Sequence, residues 1–227
     1  MIKKIFFSLC VLSSFTVAAH AANFSAGGMG FNKKVRCLKE IRQENVVTQS
    51  LDYSCGAAGL ATLLHYYLND PIPEVEIINS MLNTIPLDKV IARQGFSLFD
   101  LKKFAQSRGY LVTGYRMDFE YLKSLGKPVL VPIKFKNYRH FVVVKGVFGD
   151  RVFIADPAVG NMTMKKEKFM SMWTNGIGFV VERPGQEIKG DYALKVDQAD
   201  IRMADYRAIK RFFNPFQLRT TIFTNEW

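Results

Sequence analysis

The sequence predicts an α+β fold, with a helical N-terminal half packed on a C-terminal antiparallel sheet. Three observations predict it. Residues 54–125 hold runs of strong helix formers or apolar residues at helical spacing. Residues 128–155 hold runs of Val, Ile and Phe separated by short polar turns. Helices come first and strands follow, the order of two segregated layers around one core.

The chain opens with Lys3 and Lys4, an apolar run from Ile5 to Ala19, and Ala19-His20-Ala21, small at the two positions a signal peptidase reads. That is the pattern of a secretory signal over residues 1–21. It predicts an exported protein, periplasmic in a double-membrane bacterium. The apolar run is shorter than the ~20 residues of a bilayer span. Cys10 lies inside the run, where it is no lipid-attachment site. Removing this segment leaves 206 residues with 29 basic and 20 acidic side chains, a net charge of +9. Such a surplus favours anionic partners. The basic residues form no stripe and no nucleic-acid motif is present, so nucleic acid is not an expected partner. No later segment is apolar enough to span a membrane, so no integral segment is expected after signal removal.

Residues 22–36, rich in Gly and small polar residues, read as a flexible arm. The domain proper is expected over 37–183. Arg36 to Val47 is a short helix or strand. Ser54 to Leu68 is a helix apolar over most of its surface, hence central and buried, and Asn69-Asp70-Pro71 ends it. Glu74 to Leu82 is a second helix. Ser97, with Asp100 three residues on, caps a third that runs to Ser107. Tyr110 to Met117 is a strand and Phe119 to Leu125 a short helix. Pro128 to Phe135, Phe141 to Val147 and Arg151 to Ala155 form an antiparallel meander. Lys166 to Trp173 is helical and Gly178 to Glu182 a further strand. Residues 184–227 are a linker and a basic extension. Within it, Gln198 to Phe213 reads as an amphipathic helix able to dock an acidic or membrane-associated partner. Its removal from residue 190 onward is expected to spare hydrolysis of a small peptide but to impair processing of the natural partner.

Two cysteines remain after signal removal, Cys37 and Cys55. In an oxidising compartment a disulfide between them is one reading. The other is chemical. Cys55 stands at the start of the predicted central helix, where the helix N-terminus favours a thiolate, the species that attacks. The first amides of that helix have no intrahelical acceptor, so the Cys55 N–H is free to donate. Gln49, six residues upstream, offers a side-chain amide as a second oxyanion donor. A thiolate needs a base, and two histidines remain. His65 lies ten residues along the same helix, ~15 Å up its axis and on another face. That leaves His140, at the entry to the strand Phe141 to Val147. Asp156 ends the next strand, and a tight turn at Gly149-Asp150 brings it beside His140 to orient the ring. No cofactor is implied, and the Cys and His residues lack the spacing of metal ligands.

Gln49, Cys55-Gly56, His140-Phe141-Val142-Val143 and Asp156-Pro157 resemble the motifs of peptidase family C39. These are papain-like cysteine peptidases that cut leader peptides after a double glycine. The stretch Asp52-Tyr53-Ser54-Cys55-Gly56-Ala57-Ala58 is similar to that of stand-alone exported members. The resemblance runs from about Gln49 to Glu182. It implies a papain-like fold, with Cys55 as nucleophile, His140 as base, Asp156 as its orienter and Gln49 in the oxyanion hole. It also implies a peptide or protein substrate with a Gly-Gly type site. The partner system would be a secretion system for a bacteriocin or an extracellular fibre. Many family members are fused to a transporter and an ATPase; this sequence carries no P-loop pattern. Two other readings use the same residues: a non-catalytic C39-like binding module or chaperone, and a papain-like amidase or acyltransferase.

Overall fold

A computed structural model describes residues 21–26, 29–34, 36–135, 138–186, 188 and 190–202. The chain divides into two units, residues 1–38 and 39–227. In the first, β1 (Ala21–Ala26) pairs antiparallel with β2 (Met29–Lys34), Phe24 opposite Phe31. The segment read as an arm therefore holds a strand pair. A Gly-Gly dipeptide separates the two in sequence, a spacing that suits hairpins.

The second unit begins its helical half with α1 (Leu38–Gln43) and α2 (Cys55–Tyr66). Then follow α3 (Glu74–Leu82), α4 (Leu87–Ala92) and α5 (Leu98–Ser107). Ten of the twelve residues of α2 are buried, as its nearly continuous apolar surface requires. The α5 helix opens with the expected capping box. The Ser97 hydroxyl accepts from the Asp100 N–H at 3.2 Å, and the Asp100 carboxylate accepts from the Ser97 N–H at 2.8 Å. The α4 helix was not expected: it follows Pro86 directly and buries only Val90, too little apolar pattern to mark it.

The sheet half contains β3 (Leu111–Arg116), α6 (Phe119–Ser124), β4 (Val129–Phe135) and β5 (Tyr138–Phe148). It ends with β6 (Arg151–Asp156), β7 (Gly160–Lys165), α7 (Lys166–Met172) and β8 (Ile177–Glu182). Six antiparallel strands lie in the order β3-β8-β4-β5-β6-β7. The β7 edge strand carries little strand signal in the sequence, because Gly-Asn-Met-Thr-Met-Lys lacks the Val and Ile that mark buried strands.

Both faces of the sheet are covered. On one, Leu60, Leu64, Ile77 and Leu101 from the helices meet Leu130, Val143 and Phe179. On the other, Phe119, Phe169 and Trp173, from around α6 and α7, meet Val142, Val144, Ile154 and Val180. The packing of α2 on the sheet is close: a Cβ on Gly59 would lie 2.6 Å from a Leu130 methyl.

The linker and extension are not separate from this unit. Leu194 is fully buried in the helix-side core, with Ile188 and Tyr192 packed against it. Val196 covers Gly146, and the Asn45 amide donates to the Ala193 carbonyl at 3.0 Å. Between Val144 and Gly146 the β5–β6 register shifts, a bulge that leaves Lys145 unpaired in the ladder. Its buried ammonium reaches Asp200 Oδ2 at 3.0 Å. These contacts give residues 188–200 a part in the packing of this unit, which the reading as linker and extension did not include. The helix expected over Gln198–Phe213 is present at 198–202; the rest lies outside the described residues.

Candidate active site

Cys55 is the first residue of α2 and is 4% exposed. Ser54 precedes it but does not cap the helix. Its hydroxyl turns back to Leu51, donating to the carbonyl at 2.8 Å and accepting from the N–H at 3.1 Å. The first amides of α2, that of Cys55 among them, are left without a side-chain acceptor from the cap. Gly56 lets the helix end settle against the sheet, since a Cβ there would stand 3.1 Å from Leu101 and 3.2 Å from Phe141.

Phe141 is the neighbour of His140, and the same strand supplies both. β5 starts at Tyr138, so His140 lies inside the strand rather than at its entry. Val143 pairs with Ala155 across the β5–β6 hairpin, which makes His140 and Asp156 diagonal neighbours on one face. His140 Nε2 and Asp156 Oδ1 are 2.8 Å apart, both side chains buried. The same carboxylate oxygen accepts from the Ala158 N–H at 2.8 Å, which fixes its rotamer. With Nε2 committed to Asp156, the other nitrogen, Nδ1, is buried and has no hydrogen bond. Burial pulls the imidazole's pKa down, but the hydrogen bond to Asp156, the Cys55 thiol and their negative charges outweigh it and lift the pKa to about 9. At neutral pH the ring is therefore cationic, held between a carboxylate and a sulfur.

Gln49 sits in the loop before α2. Its backbone N–H donates to the Pro157 carbonyl at 2.9 Å, tying this loop to the turn after Asp156. Its side-chain Nε2 donates to the Leu51 carbonyl at 2.9 Å and lies 3.4 Å from that of Asp52, while Oε1 is buried without a partner. The amide is thus held by its own loop, with one hydrogen in a long, weak contact. Glu74, buried at the start of α3, accepts the Ser50 N–H on both oxygens at 3.1 and 3.2 Å. Tyr138, from the sheet side, donates its hydroxyl to the Asp52 carbonyl at 2.9 Å.

Of the residues singled out from the sequence, the structure gathers Cys55, His140 and Asp156, with Gln49 in the adjoining loop. His65 is away from them, stacked on Tyr66 at 4.1 Å near the far end of α2. Neither Cys37 nor Cys55 is in a disulfide; the first is exposed and the second buried. Glu74 and Tyr138 were not foreseen. A lone Glu at a helix start reads as dipole compensation, and Tyr138 fell in a segment read as a turn. The signal for Tyr138 was its position two residues before His140, which in a strand places both rings on one face.

A cysteine activated by a histidine–aspartate pair serves acyl transfer: attack on a carbonyl, then transfer to water. The model of the Peptidase C39 family matches residues 43–185. The chain is 34% identical over 187 residues to the probable functional amyloid protease FapD of Pseudomonas aeruginosa, covering 82% of each chain. It is 37% identical over 163 residues to the protein of the same description from Pseudomonas fluorescens, covering 71% of this chain and 70% of that one. Among solved structures, the peptidase domain of Streptococcus ComA, a bi-functional ABC transporter, superposes with a TM-score of 0.52 at 24% identity. The match covers 61% of this chain and 97% of that domain, a likeness of fold.

Proposed function

The chain belongs to the peptidase C39 family and is a cysteine peptidase, and on that premise we propose that it cleaves an exported protein after a Gly-Gly type site, through Cys55, His140 and Asp156. One observation carries the assignment of roles: His140 gives Nε2 to Asp156 at 2.8 Å and keeps a buried, unbonded Nδ1 for the thiol of Cys55.

In this reading the thiol proton already rests on Nδ1, leaving a thiolate–imidazolium pair, and the thiolate attacks the scissile carbonyl carbon. The developing oxyanion is met by the Cys55 N–H and by Gln49, whose Nε2 exchanges its long contact with Asp52 for the substrate. The His140 imidazolium protonates the leaving amine as the C–N bond breaks, giving a thioester on Cys55. His140, neutral again, deprotonates water for attack on the thioester, and the thiolate leaves. Asp156 keeps the ring oriented and stabilises its cationic form throughout.

The setting follows from the N-terminal pattern and the relatives' names. Lys3-Lys4, the apolar run and Ala19-His20-Ala21 support export, and a periplasmic location if the host has two membranes. The two relatives described as functional amyloid proteases favour a secretion system for an extracellular fibre over one for a bacteriocin. The test is mass spectrometry of exported proteins from cells carrying the wild-type chain or Cys55→Ala. A protein that is shortened at a Gly-Gly bond only in the wild type is the expected outcome. Identical exported termini in both strains would exclude proteolysis by this site.

A further inference from the structure

Cys55 and His140 are only 4% and 8% exposed, so a wall of protein stands close to the reacting atoms. Tyr138 is part of that wall. Its ring centroid lies 5.9 Å from that of His140, the planes inclined by 30°. Its hydroxyl reaches the opposite side and donates to the Asp52 carbonyl, three residues before the nucleophile. The side chain thus bridges from the strand that carries the base to the loop that leads into the nucleophile's helix. It is nonetheless 39% exposed, so one side faces the solvent from which a substrate must come. Burial and the nearby charges of Cys55, Asp52, Tyr53 and Asp156 raise the phenol's pKa, so it remains a protonated donor through neutral pH.

We propose that Tyr138 is a specificity-determining residue, a fixed aromatic wall beside Cys55 and His140 that leaves room for a glycine, and no larger residue, on the acyl side of the scissile bond. The proposal rests on the peptidase reading above and deepens it. The ring has two means of keeping its place: the hydrogen bond to Asp52 and the neighbouring imidazole. A Cβ on the acyl residue would have to displace it. The loop it touches is itself held from below, by Glu74 at Ser50 and by Pro157 at Gln49, so the opposite side does not yield. A pocket discriminating one methyl group by steric exclusion separates substrates by about 10–200-fold.

The experiment uses the full-length protein and two peptidyl-coumarin amides identical except for Gly-Gly or Gly-Ala before the coumarin. Wild type is expected to cleave the first at least about tenfold faster in kcat/KM. Tyr138→Ala should bring the two rates within about threefold of each other, mainly by raising the Gly-Ala rate. Tyr138→Phe keeps the ring and should retain most of the discrimination. Equal loss on both substrates, or an unchanged ratio in Tyr138→Ala, would overturn the proposal, whatever the absolute rates. Failure of the underlying reading looks different: wild type would cleave neither peptide, or both equally, before any substitution is made. Thermal unfolding of each variant separates a lost wall from a lost fold.

Discussion

At the scale of single residues, the site is a problem in charge. His140 is buried, and burial alone would keep it neutral at pH 7; the carboxylate at 2.8 Å and the thiol reverse that and hold its pKa near 9. The acid form that protonates the leaving amine therefore persists through neutral pH and is lost as pH rises through about 9. Asp156→Asn removes the charge and keeps the shape. With burial then less opposed, the alkaline fall of kcat/KM should move down, toward or below the ordinary histidine value of about 6.5. A pH profile of both proteins checks this; coincident alkaline limbs would mean that Asp156 does not set the titration. The trio was legible in the sequence because so few candidates existed: two histidines beyond the N-terminal signal pattern, one of them barred by helix geometry. Gln49 was legible as a donor by type, but not the detail that its amide is already spoken for by Leu51. Tyr138 was hidden by an element boundary, since the strand begins three residues earlier than its apolar run.

At the scale of elements, the distance between α2 and the sheet decides whether the thiol and the imidazole meet. Gly59 sets that distance from mid-helix. Gly59→Ala gains up to about 1 kcal/mol of helix propensity. It also forces a methyl to within 2.6 Å of Leu130, a fully buried side chain. Overpacking of this kind costs about 1–3 kcal/mol, so a net fall in melting temperature is expected. A rise would show that the helix can shift without cost. The long helices and the meander were legible because their periodicity is strong and they are buried. α4 and β7 were not, because each is short and lies at the margin of the core, where few apolar residues are needed. The pair β1–β2 was missed because its glycines were read as flexibility rather than as punctuation between strands.

At the scale of the whole molecule, the match to the family ends at residue 185 while the described packing of this unit runs on to residue 202. Leu194 fills a place in the helix-side core, and Leu194→Ala should cost about 2–5 kcal/mol. Truncation after residue 185 would remove Leu194 and also strand the Lys145 ammonium, which is 7% exposed, without Asp200. Thermal unfolding should show the truncated protein less stable than Leu194→Ala; equal melting of truncated and full-length chains would mean the residues after 185 add nothing. This packing is not legible in the sequence, since residues 184–202 mix charges with isolated apolar residues at no regular period. Their role lies in contacts with residues 45, 126 and 145, far away along the chain.

The strand order carries a consequence for how the chain folds. The meander β4-β5-β6-β7 is built from consecutive hairpins, so the strands bearing His140 and Asp156 close over short loops. β8 is different: it is made last and inserts between β4 and β3, pairing Leu111 with Glu182 across 71 residues. Loop closure over such a span is slow compared with hairpin formation. A chain delivered N-terminus first would thus hold its base and orienter in a nascent hairpin well before the sheet is joined through its middle. The helices, which carry the nucleophile, gain their full platform only when β8 arrives. The order of synthesis delays the protease until its own last strand is in hand.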